Sequence, residues 1–370
     1  MIIGAGLAGV RTAEGLRRRG FPGAILVLGA ETHLPYDRPP LSKQFLGGTA
    51  GPSWLSSLAD LARLDVTVSL DEPAVALSVT AQTVSTPSRT VGFDLAVIAT
   101  GSQPRRLPGL NGLVLRTLDD AARLRASLLP GKRLGIVGAG LIGCEVAATA
   151  RERGMTVHLV DVAPGPAIRV LGPTVSSTLA EIHRRHGVQL HFGRSVTRPA
   201  PDRLRLADGT ELAVDLVLEA VGAVPCTGWL AGSGLAAGDG VVCDEHGRAA
   251  TNVYAVGDVA GWRGRRHEHW SAACRQADHV AATITGQAAP PAGVPYWWSD
   301  QYGYKLQGLG DPRPDDQVTE FRWGAKQRPV ALYSRDGRLT GAVGFSAAGF
   351  VMRLRDPIAR AVPLREVSTA

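Results

Sequence analysis

The chain has 370 residues, a length that suits two or three domains, and its 45% hydrophobic content is enough to bury large cores and excludes a disordered chain. A net charge of +7 at pH 7 draws acidic partners, although an arginine-rich composition explains it equally well. No basic tract is interleaved with aromatics and no apolar run reaches the roughly 18 residues of a membrane helix, so neither nucleic-acid binding nor a membrane span is expected.

The chain opens directly on a glycine-rich turn. No charged segment followed by a long apolar stretch precedes it, so no signal peptide is read and a cytoplasmic protein is expected. The strand before Gly4 holds only residues 1–3, where a central strand usually has about five or six. Either the recorded start is late or the edge of this sheet is shortened. Gly4-Ala5-Gly6-Leu7-Ala8-Gly9 then matches G-x-G-x-x-G, with a helix predicted to about Arg19 and an apolar strand over residues 24–28. In this setting the glycines allow a tight turn and close approach of a pyrophosphate, while the helix N-terminus supplies free N–H groups and a positive dipole end. Glu31 is the acid placed to meet a ribose, a little late after the strand.

Residues 33–43 read HLPYDRPPLSK and contain no cysteine. A second turn follows the predicted strand Arg133–Val137: Gly138-Ala139-Gly140-Leu141-Ile142-Gly143, then a helix over residues 144–153 and a strand over 156–160. Asp161, 23 residues after Gly138, stands at the usual offset of the ribose acid. The stretch that follows it, VAPGPA, lacks the arginine that would meet a 2′-phosphate, so NADH is expected over NADPH, with Arg169 the residue that weakens the argument. One such glycine match in a chain of 45 glycines is weak evidence; two, each between a strand and a helix, imply two nucleotide sites. The four cysteines, Cys144, Cys226, Cys243 and Cys274, are dispersed, with neither a redox pair nor zinc spacing.

These stretches, with IATGSQP at 98–104, VYAVGD at 253–258, EHW at 268–270 and YWWSDQY at 296–302, resemble a family. It comprises FAD- and NAD(P)H-dependent reductases of the glutathione-reductase-type fold, and the resemblance is strongest to ferredoxin reductases of the putidaredoxin reductase type, which serve cytochrome P450s and ring-hydroxylating (Rieske-type) dioxygenases. Disulfide reductases of this fold carry a cysteine pair in the segment where this chain has YDRPPLSK. The resemblance implies an α/β architecture with two Rossmann-like, doubly wound, three-layer domains and a small C-terminal α+β domain. The FAD domain would comprise residues 1–107 and 226–291, the NAD(H) domain 108–225 and the third domain 292–370, with residues 104–109 as a crossing linker.

It implies roles as well. Gly4, Gly6, Leu7, Ala8 and Gly9 would hold the FAD pyrophosphate. Arg38 and Lys43 would lie near the FAD, Lys43 on its isoalloxazine side. Ala99, Thr100 and Gly101 would form the return strand and turn against it, followed by Arg105. Gly257 and Asp258 would meet the ribityl hydroxyls, and Trp270 would offer backbone donors to the flavin pyrimidine edge. Gly138, Gly140, Leu141, Ile142 and Gly143 would hold NADH, with Glu145 by the nicotinamide. Glu145 also reads as an early-turn acid facing the helix dipole. One of Trp297 and Trp298 would touch the active site, Trp298 being the candidate. Lys43, Glu145 and Trp298 are thus the candidate catalytic residues.

The implied reaction takes electrons from NADH through FAD to an acidic [2Fe–2S] ferredoxin. No thiol relay is present, and no histidine follows residue 292 to supply the acid–base pair of disulfide reductases. Arg105, Arg106, Arg263, Arg265 and Arg266 are candidates for a docking patch, and a monomer is expected. The competing readings are an NADH oxidase or flavin monooxygenase acting without a ferredoxin, and a redox-dependent binding protein of the apoptosis-inducing-factor kind.

Overall fold

The computed structural model describes residues 1–200, 202–291, 293–313 and 315–367, with only the backbone at 198–200. The expected domain start at Ala292 lies outside the described residues, as does its end at 368–370. By packing, the chain separates into two units, one of residues 1–37, 52–103 and 223–293, the other of 38–51, 104–222 and 294–370.

The first unit is built on a six-stranded sheet in the order Arg248–Ala250, Val253–Ala255, Ala96–Ile98, Ile2–Ile3, Ile25–Leu28, Val66–Ser69. Neighbours run parallel except the first pair. The two-residue strand is therefore central and not at an edge. Its residues are both buried and both apolar, because a parallel strand covered on two faces meets no water. Ile2 packs with Val10, Leu16, Val280 and Ala281 on the side of helices Leu7–Arg18 and Trp270–Ile284. Ile3 faces the other way, into Leu77, Val84, Phe93 and Val241. That second face is covered by short antiparallel strands, among them Ala76–Ser78, Thr83–Ser85 and Thr90–Gly92. Three layers result, with helices on one side and antiparallel strands on the other. The two helices approach closely: a Cβ at Gly15 would stand 3.0 Å from that of Ala281.

In the second unit a four-stranded parallel sheet runs Gln189–Phe192, Thr156–Asp161, Arg133–Val137, Leu216–Glu219. Leu204, Leu206 and Leu212, from antiparallel strands that lie in sequence between Gln189–Phe192 and Leu216–Glu219, pack with Val214 against Val137 and Val160. Residues 294–367 form a five-stranded antiparallel sheet, ordered Tyr296–Gln301, Tyr304–Gly310, Arg338–Phe345, Arg328–Arg335, Gln317–Trp323. Its core gathers Val330, Leu332, Leu339, Ala342 and Phe350, the last from the helix Ala348–Arg353.

Two local features position the site. Pro39 and Pro40 open a 3₁₀ turn, Pro39–Ser42, whose fixed φ values suit a helix start, and the helix Gln44–Gly47 follows. This segment is held to the helix Leu141–Glu152 by Thr149, whose hydroxyl donates to Ser42 O at 3.2 Å, and by Arg153, which donates to Leu46 O at 3.2 Å. The helix Ile168–Arg185 is broken at Gly172, where φ is +68°, next to Pro173. Tyr333 answers the break by donating its hydroxyl to Leu171 O at 2.6 Å.

Candidate active site

Each glycine turn forms a cradle. At Gly4, φ is +117° and a Cβ would fall 2.2 Å from Ala99 O. A Cβ on Gly9 would fall 1.9 Å from Gly4 O, whereas around that of Gly6 nothing lies within 4 Å. Two glycines therefore serve close packing and the middle one faces open space. Gly6 also caps its helix without a side-chain hydrogen bond, which leaves the first-turn N–H groups for an anion. Gly257 closes on the turn, since its Cβ would be 2.9 Å from that of Ala8. Next to it, Asp258 accepts from the Ser102 hydroxyl at 3.0 Å. Thr100 donates to Cys226 O at 3.0 Å, and Gly101 O accepts from Cys226 N at 3.0 Å, which fixes the return turn. Glu31 accepts from the Tyr36 hydroxyl at 2.5 Å, and the indole of Trp270 donates to Asp37 at 2.8 Å. Trp270 itself starts a helix that no side chain caps. An uncapped helix start above an open glycine, flanked by an oriented aspartate, fits the dinucleotide that the sequence implies.

The second cradle repeats the device. Gly138 has φ +108° with its Cβ position 2.3 Å from Ala220 O, Gly143 would meet Gly138 O at 2.0 Å, and Gly140 again faces open space. Here the acid is tied into the turn. Asp161 ends its strand and accepts from Ala139 N at 2.6 Å and Ala163 N at 2.8 Å. Val162 beside it is 65% exposed, an apolar surface where a 2′-phosphate binder would have a base. Arg169 is exposed, and Arg194 pairs with Asp208 at 3.2 Å.

Between the 38–51 segment and the second cradle's helix lies a buried ion pair, Lys43 Nζ to Glu145 Oε2 at 2.9 Å, the side chains 9% and 5% exposed. Lys43 also donates to Pro39 O at 3.0 Å. The helix begins at Leu141, so Glu145 sits in its second turn and not its first. The dipole effect has largely faded there, and the ammonium is what compensates the carboxylate. Ser42 donates to Glu145 Oε2, and Ser299 donates to Oε1 at 2.6 Å. Gln301 in turn donates to Ser299 at 3.0 Å. Gln301 Oε1 lies 2.9 Å from His183 Nε2, and His183 Nδ1 lies 2.9 Å from the Tyr302 hydroxyl.

Other expected residues fall elsewhere. Trp298 is half-buried and stacked on Tyr296 at 5.7 Å, on the strand face opposite Ser299 and Gln301, while Trp297 is a core side chain. Arg38 donates to Arg116 O at 2.8 Å, and Arg105 is exposed, its backbone N–H donating to Gly222 O at 2.9 Å. Arg106 belongs to the fold: it donates to Gly112 O and pairs with the buried Glu219 at 2.8 Å. Arg266 is held by Asp239 at 3.1 Å, Glu268 at 2.5 Å and Asp258 O at 3.0 Å. Arg263 and Arg265 remain exposed.

All four cysteines are free thiols. Burial pushes Cys243 up to about 12 and Cys274 to about 11, and raises Cys144 further. Cys144 precedes Glu145 in the chain, yet its thiol points to Ala139 O. Among the described residues no group of three His, Cys, Asp or Glu side chains is placed to hold a metal ion. Among the described residues no helix is long and apolar enough to cross a membrane.

Reading the sequence missed Ser42, Ser299, Gln301 and His183. One signal was available: in YWWSDQ, the buried positions of an alternating strand hold Trp297, Ser299 and Gln301, and two polar residues on a core face call for a partner.

Comparison with known proteins was made on this basis. The family model described as "Pyridine nucleotide-disulphide oxidoreductase" matches residues 1–277, and one described as "Reductase C-terminal" matches 296–370. The chain is 40% identical over 382 residues to the ferredoxin reductase component of chlorobenzene dioxygenase from Cupriavidus sp. (strain PS12), covering 97% of this chain and 92% of that protein. It is 35% identical over 338 residues to putidaredoxin reductase of Pseudomonas putida, covering 84% and 80%. It also matches a crystal structure of the covalent putidaredoxin reductase–putidaredoxin complex with a TM-score of 0.93 at 31% identity, covering 98% of this chain and 93% of that one.

Proposed function

The chain belongs to the pyridine nucleotide-disulphide oxidoreductase family, and from that premise we infer that it is an NADH:ferredoxin reductase that uses FAD and serves an oxygenase of the cytochrome P450 or Rieske type. The observation that carries this is the buried Lys43–Glu145 pair, whose lysine lies in the segment where disulfide reductases of this fold keep their cysteines. When bound, FAD accepts a hydride from NADH and releases the electrons one at a time. The protein's own contribution is position and charge.

In this reading the first cradle, Gly4 to Gly9, holds the FAD pyrophosphate and Glu31 its ribose. Ala99 to Gly101, Asp258 and Trp270 line the rest. The second cradle holds NADH, with Glu145 at the nicotinamide, while Trp298 lies on the opposite face of its strand from Ser299, the partner of Glu145, and takes no part at the rings. Glu145 holds the Lys43 side chain in place through the 2.9 Å ion pair, so that the ammonium would face negative charge on a bound flavin ring. NADH is favoured over NADPH because a 2′-phosphate would meet the Asp161 carboxylate and the apolar Val162, with Arg194 already paired to Asp208.

The acceptor is a [2Fe–2S] ferredoxin with an acidic face, which the +7 charge attracts. Exposed Arg263 and Arg105 are the bases offered to meet it. The chain acts as a monomer. The test is anaerobic titration with NADH followed by mixing with an acidic [2Fe–2S] ferredoxin. Bleaching of the flavin bands and fast cluster reduction support the assignment. Slow cluster reduction with rapid oxygen consumption returns it to an oxidase or monooxygenase, and slow oxidation by every acceptor to a redox-dependent binding protein.

A further inference from the structure

We propose that Ser299 and Gln301 are positioning residues for the Lys43–Glu145 pair, acting through a hydrogen-bond chain in which every group donates toward the Glu145 carboxylate. The polarity follows from the chemistry of the groups. An ionised carboxylate only accepts, so the single hydroxyl proton of Ser299 goes to Glu145 Oε1, at 2.6 Å. The serine oxygen must then accept, and the NH₂ of Gln301 supplies the donor at 3.0 Å. That fixes the amide, whose oxygen faces His183 Nε2 at 2.9 Å and needs a proton there. His183 is thereby held in one neutral tautomer, with Nδ1 accepting from the Tyr302 hydroxyl at 2.9 Å. His183, Ser299 and Gln301 are all buried, and their side-chain hydrogen bonds link each member to the next. A fully satisfied buried network of this kind fixes one geometry, because any member that turns away leaves an unpaired polar group in the core.

The chain is a clamp and not a proton path, because an amide passes a proton only by way of its imidic acid tautomer. Its product is geometric. Glu145 Oε1 is occupied by Ser299, so Oε2 is presented to Ser42 and Lys43. The catalytic relevance of the clamp rests on the reading of Glu145 and Lys43 given above, but the clamp itself does not.

The test uses the FAD-loaded enzyme and reads Lys43 directly. Pulse acetylation is followed lysine by lysine in the mass spectrometer, with exposed Lys132, Lys305 and Lys326 as references. Ser299→Ala is expected to label Lys43 about tenfold faster, the scale of one lost hydrogen bond to a charged group. Gln301→Ala should act in the same direction more weakly, and Ser299→Thr should restore slow labelling. In a Glu145→Gln background, Ser299→Ala should add nothing. Unchanged Lys43 labelling in Ser299→Ala overturns the proposal, as does an effect of the same size without Glu145, or equal acceleration at all four lysines. Flavin reduction by NADH, measured on the same variants, separates the two ideas: if Glu145→Gln reduces at the wild-type rate, the catalytic reading falls while labelling still judges the clamp.

Discussion

Lys43 and Glu145 form an ion pair at 2.9 Å from which water is nearly excluded. Removing one partner of such a pair leaves the other charge buried, at a cost of about 3–5 kcal/mol, whereas replacing both with apolar groups is often close to neutral. Lys43→Met and Glu145→Leu should therefore each lower the urea midpoint strongly, and the double variant should be more stable than either. Additive losses would show that the two groups do not depend on each other. Every one of these variants should also slow flavin reduction by NADH.

The duplicated cradles allow each nucleotide to be removed separately. A methyl group at Gly4 would fall 2.2 Å from Ala99 O, and one at Gly138 would fall 2.3 Å from Ala220 O, both at positive φ. Gly4→Ala should purify without flavin absorbance. Gly138→Ala should keep its yellow colour and lose NADH reduction at least about tenfold. A colourless Gly138→Ala protein would reverse the assignment of the two sites.

Asp161 spends both carboxylate oxygens on the turn, through Ala139 and Ala163, before any ribose arrives. Asp161→Ser should raise KM for NADH by about 10- to 100-fold, the range of a lost charged hydrogen bond. Val162→Arg, at the 65% exposed position, should lower KM for NADPH. If Val162→Arg leaves the NADPH constant where it was, the specificity argument from residues 161–162 fails.

Cys243 and Cys274 titrate near 12 and 11 because burial disfavours the thiolate, and burial raises Cys144 as well. At pH 7 these sulfurs are poor nucleophiles. Alkylation with iodoacetamide should therefore leave ferredoxin reduction unchanged, and the variants Cys226→Ser and Cys274→Ser should behave as wild type. Loss of activity in either variant would restore a sulfur to the electron path.

The cradles were legible because everything they need lies within one strand, turn and helix: the glycines at 4, 6 and 9, and at 138, 140 and 143, are local instructions. The parallel strands beside those turns, at residues 1–3, 24–28, 133–137 and 156–160, were legible for the same reason, whereas Val66–Ser69 and Gln189–Phe192 mix polar with apolar residues and were not. The covering strands, such as Ala76–Ser78 and Thr83–Ser85, are three residues long and give too little alternation to read. Lys43 and Glu145 were each visible, but their pairing joins segments about a hundred residues apart and appears only on folding. His183 carries no motif, and Ser299 and Gln301, although inside the YWWSDQY stretch, read as surface until the burial of Trp297 shows which face they share. Arg106 and Arg266 show the reverse error: charge in the sequence suggested a surface, and folding assigned it to Glu219, Asp239 and Glu268.

His183 supplies a pH test of the buried chain. Burial is the main cause that lowers it from 6.5 to about 4; the hydrogen bond it donates to Gln301 opposes the shift and nearby His186 adds to it. Between those values the unfolded chain binds a proton that the folded chain refuses, so stability falls as pH drops from about 6.5 to about 4 and is unaffected above that window. At about 1.4 kcal/mol per pH unit, the whole window amounts to about 3 kcal/mol. His158 and His191, also lowered by burial, add a background of the same sign. His183→Gln can keep a donor toward Gln301 without titrating. Its urea midpoint should change less between pH 7 and pH 4 than that of wild type, with the difference growing from about pH 6.5 down to about pH 4. Parallel declines in the two proteins would mean that His183 takes up its proton in the folded state as readily as in the unfolded one, and that the network admits water at its Tyr302 end.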